Sequence, residues 1–179
     1  DEVCRSIDTA AENGIPGLIV LAGHRDPHRS DYDQLVTCAQ GLEKVAPYAE
    51  DKGVNLNMEI LNTTVDHPGY LCDNVDWTLA LCEMVDSPRV NILFDIYHVQ
   101  IMEGNIIANI KKAAKRIGHY HTAGNPGRHG LGDNQELNYR GIARAIHETG
   151  YNMYVGHEFM SEGDEISALK EAYRICSVE

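Results

Sequence analysis

Five short apolar segments that alternate with amphipathic segments set the strongest limit on what this chain can fold into. The apolar segments are typical of buried strands, and we place them at residues 17–23, 54–62, 90–96, 116–124 and 151–160. We place helices before, between and after them, at residues 1–13, 32–52, 74–85, 104–115, 138–149 and 164–176. Strands that alternate with helices form a parallel sheet with helical crossovers. The pattern therefore predicts an α/β fold.

Chain length bears on which α/β architecture forms. A closed (β/α)8 barrel takes about 250 residues, so five units in 179 residues fit a barrel without its first three units. The helix at residues 1–13 leads into the first visible strand, which also implies units upstream. We therefore predict a TIM barrel, with residues 1–179 as the C-terminal part of a single domain, about units 4–8. An open doubly wound sheet is the alternative, but the sequence lacks the glycine-rich motifs of nucleotide-binding sheets.

Composition narrows the classes of partner. With 15 Lys+Arg against 27 Asp+Glu, the formal charge of −12 repels a phosphate backbone, so we expect no nucleic-acid partner. No apolar run approaches the roughly 18 residues of a membrane-spanning helix, so we expect no membrane partner. The five cysteines have neither disulfide-framework nor zinc-knuckle spacing, which favours free thiols and a cytoplasmic location. An export signal would lie in the upstream segment. We expect a small-molecule substrate, and homo-oligomerisation stays open.

Acidic or imidazole residues lie near the carboxyl ends of the last four predicted strands. They are Glu59, Asp95, His121 and Glu158. Any one of them has an ordinary explanation, such as a helix cap for Asp95. Successive parallel strands of a barrel, however, bring their carboxyl ends to one mouth. Three carboxylates that meet there repel one another unless a cation lies between them. The four residues therefore predict a site for one divalent metal ion.

The residue types also indicate which metal and which reaction. Three carboxylates and one imidazole favour Mn²⁺ or Mg²⁺, with Co²⁺ or Zn²⁺ as alternatives. A metal that polarises a carbonyl, together with a carboxylate that removes the neighbouring proton, gives an enediolate. Glu59 and Glu158 lie three strands apart, so we predict them as the two catalytic carboxylates.

Three motifs resemble hydroxypyruvate isomerase, a member of the xylose isomerase-like TIM barrels, which also include the ketose 3-epimerases. The motifs are DIYHVQIMEG, GHYHTAGNPGR followed by ELNY, and GY-x3-VGHEF. The resemblance implies a metal-dependent isomerase or epimerase of a small sugar or hydroxy-keto compound, acting through a metal-bound cis-enediolate. It implies metal ligation by the same four residues and binding of substrate oxygens by His98 and Arg128. At His121 the chain departs from hydroxypyruvate isomerases, which tend to have Gln, and matches the epimerases.

Three other functions fit parts of the pattern. An inosose dehydratase-like lyase shares the metal and the enolate. An endonuclease IV-like nuclease would need an Asp-x-His pair after the fourth strand, where the sequence reads GDNQELNY. A non-catalytic sugar-binding barrel would not need two opposed carboxylates. Around the predicted site, we interpret His119 as a neighbour that orients a ligand, and Tyr97 and Tyr120 as packing residues.

Overall fold

A five-stranded parallel sheet, covered by helices on one face, forms the part of the chain that the computed structural model describes, residues 2–178. The strands are β1 (Gly17–Val20), β2 (Asn55–Glu59), β3 (Val90–Asp95), β4 (Ile117–Thr122) and β5 (Val155–His157). The helices are α1 (Glu2–Glu12), α2 (Asp31–Glu43), α3 (Ala46–Lys52), α4 (Val75–Val85), α5 (Ile96–Met102), α6 (Ile106–Ala113), α7 (Tyr139–Glu148) and α8 (Glu165–Cys176), with a short 3-10 helix at Ala114–Arg116.

Strands that follow one another in the sequence are neighbours in the sheet. The order is β1-β2-β3-β4-β5, and every neighbouring pair is parallel. This confirms the predicted α/β architecture. Within residues 2–178, β1 and β5 are the two edges, so the sheet is an arc of a barrel rather than a closed one. The carboxyl ends of all the strands lie along the same edge of this arc.

The two faces of the sheet differ because side chains alternate along each strand. On β2, Leu56 and Met58 belong to the hydrophobic core between the sheet and the helices. Asn55, Asn57 and Glu59 alternate with them and are also buried. The core face is thus apolar, and the opposite face carries amides and charged groups that lead up to the carboxyl edge.

The helix predicted over residues 32–52 is two helices. α2 ends at Glu43 and α3 begins at Ala46, with Pro47 in its first turn. Proline has no backbone N–H and is excluded from helix interiors, although it is tolerated at the first turn. The single-helix prediction was wrong because the apolar periodicity continues across this break.

Two further boundaries near the candidate site differ from the prediction. α5 follows β3 directly, in a segment to which the sequence pattern assigned no helix. Its first turn is capped by the Asp95 side chain, which accepts a hydrogen bond from the His98 backbone N–H (3.1 Å). β5 has only three paired residues instead of the ten predicted, and Glu158 comes directly after it. Both corrections concern the segments that follow β3 and β5, at the carboxyl edge of the sheet.

A β-bulge in β4 sets which side chains face the candidate site. Ile92 pairs with Ile117, but Leu93 pairs with His119, so Gly118 is an extra residue. Beyond the bulge, Asp95 lies opposite His121. Without the extra residue the same pairing would place Tyr120 there. The bulge therefore keeps Tyr120 in the core and turns His121 to the face of Glu59 and Asp95.

All five cysteines lie within residues 2–178, and the longest helix there, α2, has 13 residues. All five cysteines are free there, with Cys72 and Cys82 buried and the other three partly buried. None of the helices within residues 2–178 has the length and apolarity that a membrane crossing requires.

Candidate metal centre

Four side chains meet where the carboxyl ends of β2, β3, β4 and β5 converge. Glu59, Asp95, His121 and Glu158 each offer one ligand atom, and these atoms all lie within 4.8 Å of one another. Among the residues that the structure describes, they form the one group of three or more such side chains this close together. Glu59, Asp95 and His121 are buried, and the Glu158 side chain is about half exposed. The structure thus brings together the four residues predicted as metal ligands.

The distances around His121 fit a shared cation. Its Nδ1 atom lies 3.2 Å from Glu158 Oε2, 3.4 Å from Glu59 Oε1 and 3.8 Å from Asp95 Oδ2. Ligands about 2.1 Å from a small divalent ion are separated by roughly 3 Å in an octahedron. His121 Nδ1 is buried and has no hydrogen-bond partner within residues 2–178, although it faces three carboxylate oxygens. A nitrogen lone pair aimed at the same point as three carboxylates suits a divalent metal.

Asp95 fits both explanations that the sequence left open, a helix cap and a metal ligand. Its Oδ1 atom accepts the hydrogen bond that caps α5, while its Oδ2 atom faces His121. A carboxylate has lone pairs for both tasks. The helix cap therefore fixes the orientation of a side chain that also belongs to the cluster.

Without a cation, the charges of the cluster are balanced by protons and by Arg128. Burial alone would lower the pKa of His121, but Glu158 and Glu59 outweigh it and raise the pKa to about 9. The His121 ring, opposed by partial burial and assisted by Arg128, lowers the pKa of Glu158 to about 2. Burial raises the pKa of Asp95 to about 7. A proton held on this cluster at neutral pH must leave before all four groups can serve as ligands.

Arg128 lies over the cluster on the loop after β4. Its Nη2 atom is 2.5 Å from Glu158 Oε2 and 3.7 Å from Asp95 Oδ2, and its guanidinium lies 5.6 Å from the centre of the Tyr97 ring. The backbone of Arg128 has a φ of 58°, which is uncommon for a residue other than glycine. The loop therefore holds the Arg128 guanidinium directly against the cluster.

His98 is fully buried beside Asp95. Its Nε2 atom lies 3.8 Å from Asp95 Oδ2 and has no hydrogen-bond partner in the described part of the chain. Burial, assisted by Arg128 and His67, lowers the pKa of His98 to about 3. The ring is therefore neutral at physiological pH. Both residues predicted to bind substrate, His98 and Arg128, thus border the cluster.

Sequence analysis missed three residues of the surrounding network. Asn62 is fully buried and donates to the His98 ring, Asp66 accepts from Asn62, and Tyr97 donates its hydroxyl to Asp66 Oδ2 (2.9 Å). Interpreting Tyr97 as a packing residue was incomplete, because its ring underlies Arg128 and its hydroxyl bonds Asp66. The interpretation of Tyr120 as a packing residue is confirmed, since it is fully buried in the core. His119 stacks edge to face on His121, with 4.9 Å between ring centres.

Curated relatives match most of the chain. A putative hydroxypyruvate isomerase from Homo sapiens is 27% identical and covers 88% of this chain, and a 2-oxo-tetronate isomerase from Cupriavidus necator is 32% identical and covers 87%. The matched segment spans 69% of the first protein and 59% of the second. The chain is thus about two thirds the length of the relatives that it resembles.

Solved structures match the fold closely. An AP endonuclease, family 2, from Brucella melitensis has a TM-score of 0.82 and 26% identity, covering 94% of this chain and 66% of that one. An L-ribulose 3-epimerase has a TM-score of 0.76 and 27% identity, covering 94% of this chain and 57% of that one.

A family model described as "Xylose isomerase-like TIM barrel" matches residues 1–176, nearly the whole chain. This match agrees with the parallel arc of strands and with the hydroxypyruvate and 2-oxo-tetronate isomerases among the relatives. The chain therefore belongs to the xylose isomerase-like TIM barrel family, in which it resembles the hydroxypyruvate isomerases.

Proposed function

We propose that the protein is a metal-dependent isomerase or epimerase that moves a proton between neighbouring carbons of a small sugar or hydroxy-keto compound. The observation that carries this proposal is the arrangement of two carboxylates, at the carboxyl ends of β2 and β5, on either side of Asp95 and His121 in the strand order. Relatives named as isomerases and epimerases support the same reaction class.

Glu59 and Glu158 are the proposed acid–base pair. They come from strands at opposite ends of the four-strand cluster, so their side chains approach a bound substrate from different sides. One removes the proton beside the carbonyl, giving a cis-enediolate, and the other returns a proton to the neighbouring carbon or the opposite face. Glu59 is buried and Glu158 is half exposed, so only the second exchanges readily with solvent.

His98 and Arg128 are the proposed substrate-binding residues. Negative charge develops on the substrate oxygens as the enediolate forms, and both residues carry donors beside the cluster. Fixed donors aimed at developing charge are among the largest contributions to catalysis.

Glu59, Asp95, His121 and Glu158 would hold one divalent cation, with Mn²⁺ or Mg²⁺ preferred for this oxygen-rich set. When bound, such a cation supplies Lewis-acid polarisation of the substrate carbonyl. The four residues fit it, because the His121 Nδ1 atom and three carboxylate oxygens already converge.

We further propose that the chain forms the C-terminal part of one barrel domain, about units 4–8. Two observations support this. β1 and β5 are unpaired sheet edges within residues 2–178, and the matched segment spans only 69% and 59% of the two relatives. In the whole protein, the upstream units would complete the wall of the substrate pocket.

The test is hydrogen exchange at carbon. The full-length protein, loaded with Mn²⁺ in D₂O, is incubated with hydroxypyruvate, a 2-oxo-tetronate and a panel of ketopentoses and ketohexoses. We expect deuterium to enter at the carbon next to the carbonyl of at least one compound. We expect Glu158→Gln to slow this exchange by about 10²- to 10⁴-fold, the usual contribution of a general acid–base group.

Glu162→Gln is the matched control. It neutralises an exposed carboxylate four residues further along, which faces His129 rather than the cluster, so exchange should continue at the wild-type rate. Absence of exchange with every compound would contradict the proposal. Loss of water from the substrate would indicate a dehydratase, and cleavage of abasic DNA would indicate a nuclease.

A further inference from the structure

The side chain of Asn62 is held in one orientation by four hydrogen bonds. Its Oδ1 atom accepts from the backbone N–H groups of Val65 and Asp66, both at 2.9 Å. Its Nδ2 atom lies 2.6 Å from Asp66 Oδ2 and 2.7 Å from His98 Nδ1. Two backbone donors on one side of the amide exclude a flipped amide, so the nitrogen must face His98.

The same contacts decide which ring nitrogen of His98 carries the hydrogen. Nδ2 has two hydrogens, one for Asp66 and one for His98 Nδ1. The backbone N–H of Asn62 also donates to His98 Nδ1, at 3.2 Å. Two donors converge on this ring atom, so it must present a lone pair. A neutral His98 therefore carries its hydrogen on Nε2.

The Nε2–H group points toward the candidate metal centre. It lies 3.8 Å from Asp95 Oδ2, too far for a hydrogen bond, and it has no other partner within residues 2–178. His98 is fully buried, and leaving a buried donor unpaired is costly. A ligand oxygen beside Asp95 and Arg128 would satisfy it.

We propose that Asn62 is a positioning residue that locks His98 in the Nε2–H form, so that His98 donates a hydrogen bond to the substrate oxygen and does not act as a base. This inference rests on the proposed function for the identity of the acceptor. It divides the chemistry between the side chains: Glu59 and Glu158 move protons, and His98 stabilises the oxygen on which charge develops.

The first measurement is the tautomer of His98 in the wild type. Full-length protein labelled with [15N]histidine and loaded with diamagnetic Mg²⁺ is examined by two-bond 15N–1H correlation, and His98→Gln assigns the signal. We expect an Nδ1 resonance of the unprotonated, pyridine type and an Nε2 resonance of the protonated, pyrrole type. The reverse pattern would overturn the proposal, whatever the Asn62 and Asp66 variants show.

The second measurement inverts the hydrogen bond. In Asn62→Asp/Asp66→Asn, a carboxylate faces His98 Nδ1, and the amide at position 66 supplies the donor that the new carboxylate needs. We expect the hydrogen to move to Nδ1, leaving Nε2 without its donor. Asp66→Asn alone is the control, because it keeps Asn62 and should keep the wild-type tautomer.

Relative to Asp66→Asn, we expect kcat of the double variant to fall by about 100-fold, as when one oxyanion donor is removed. We expect KM and the Kd for Mn²⁺ to change little, because the cluster is untouched. Retention of the Nε2–H tautomer, or an inverted tautomer with unchanged kcat, would overturn the proposed role. The NMR measurement of the tautomer does not require turnover. If His98 has the expected tautomer but the protein exchanges no substrate proton, the proposed function is refuted and the assignment of the tautomer stands.

Discussion

At the scale of single residues, the site contains side chains that each make two contacts, one with the backbone and one with another side chain of the site. Asp95 caps α5 with one oxygen and faces His121 with the other. Asn62 closes a turn with its oxygen and orients His98 with its nitrogen. Removing such a side chain loosens the backbone and the site together. We therefore expect conservative exchanges, which keep the shape and change one atom, to be the informative variants.

Metal-free protein should lose stability as the pH rises above neutrality. The pKa of His121 is about 9 in the folded protein, above the roughly 6.5 of an unfolded chain. Its contribution is therefore fully present below pH 6.5 and is lost as the pH rises towards 9. Asp95, with a pKa raised to about 7, changes in the same direction at lower pH. Chemical denaturation of chelator-treated protein should show a falling free energy of unfolding between about pH 6.5 and 8.5.

His121→Gln is the control for this profile. Without the titrating ring, the decline above pH 7 should become smaller, and what remains is the contribution of Asp95. A wild-type profile that is flat or rises over this interval would show that the ring is not held protonated by the carboxylates. Added Mn²⁺ should stabilise the protein more at pH 8 than at pH 6, because ligation requires the unprotonated ring.

Residue patterns identified the four cluster residues but not the Asn62 network. Glu59, Asp95, His121 and Glu158 could be predicted because each lies near the carboxyl end of an apolar strand, and parallel strands bring these ends together. Asn62 ends the predicted strand at residues 54–62, but nothing in the sequence indicates its contact with His98, which is 36 residues further along. Its role depends on which atoms meet after folding, and strand and helix periodicity carries no information about that.

At the scale of the elements, the five strands and most helices could be predicted because apolar periodicity reports which face is buried. The break at Pro47 and the helix α5 were missed, because short helices depend on caps more than on periodicity. The bulge at Gly118 was also missed. A register shift exists only between two strands, and one strand's sequence does not specify its partner's position.

Gly118→Ala should destabilise the protein by about 1–3 kcal/mol, the usual cost of overpacking. A Cβ atom there would overlap Asn57 Oδ1 and would lie 2.9 Å from the Asn91 Cβ. Thermal or chemical denaturation measures the effect. The matched control is Gly41→Ala in α2, where an added Cβ meets nothing within 4 Å and helix propensity favours alanine by up to about 1 kcal/mol. Equal stability of Gly118→Ala and wild type would show that the bulge can relax.

At the scale of the whole molecule, the arc leaves apolar side chains exposed beside its first strand. Ile19 and Leu21 are 53% and 60% exposed in the described chain. Ile19 pairs with Asn57, so it faces the same interior as the candidate site. An apolar residue inside a barrel is normally covered. We expect the upstream units of the full-length protein to cover it.

Ile19→Ala in the full-length protein tests this coverage. If Ile19 is buried there, the substitution should lower the free energy of unfolding by about 2–5 kcal/mol. Ile107→Ala is the comparison. Ile107 is 40% exposed on α6, a helix that already has neighbouring helices on both sides. This substitution should change the free energy of unfolding by no more than about 1 kcal/mol. A similarly small effect of Ile19→Ala would mean that the Ile19 side chain stays exposed to water in the full-length protein.

The cluster residues lie at the carboxyl ends of four consecutive strands, so one uninterrupted stretch of chain, residues 59–158, encodes all four proposed metal ligands. β1, the remaining strand of the sheet within residues 2–178, supplies none of these four residues. Exchange of genetic material at the connection between β1 and β2 would therefore join a new preceding segment to an unchanged cluster. For the proposed proton-transfer reaction, we expect this layout to allow different substrates to be processed by the same four residues.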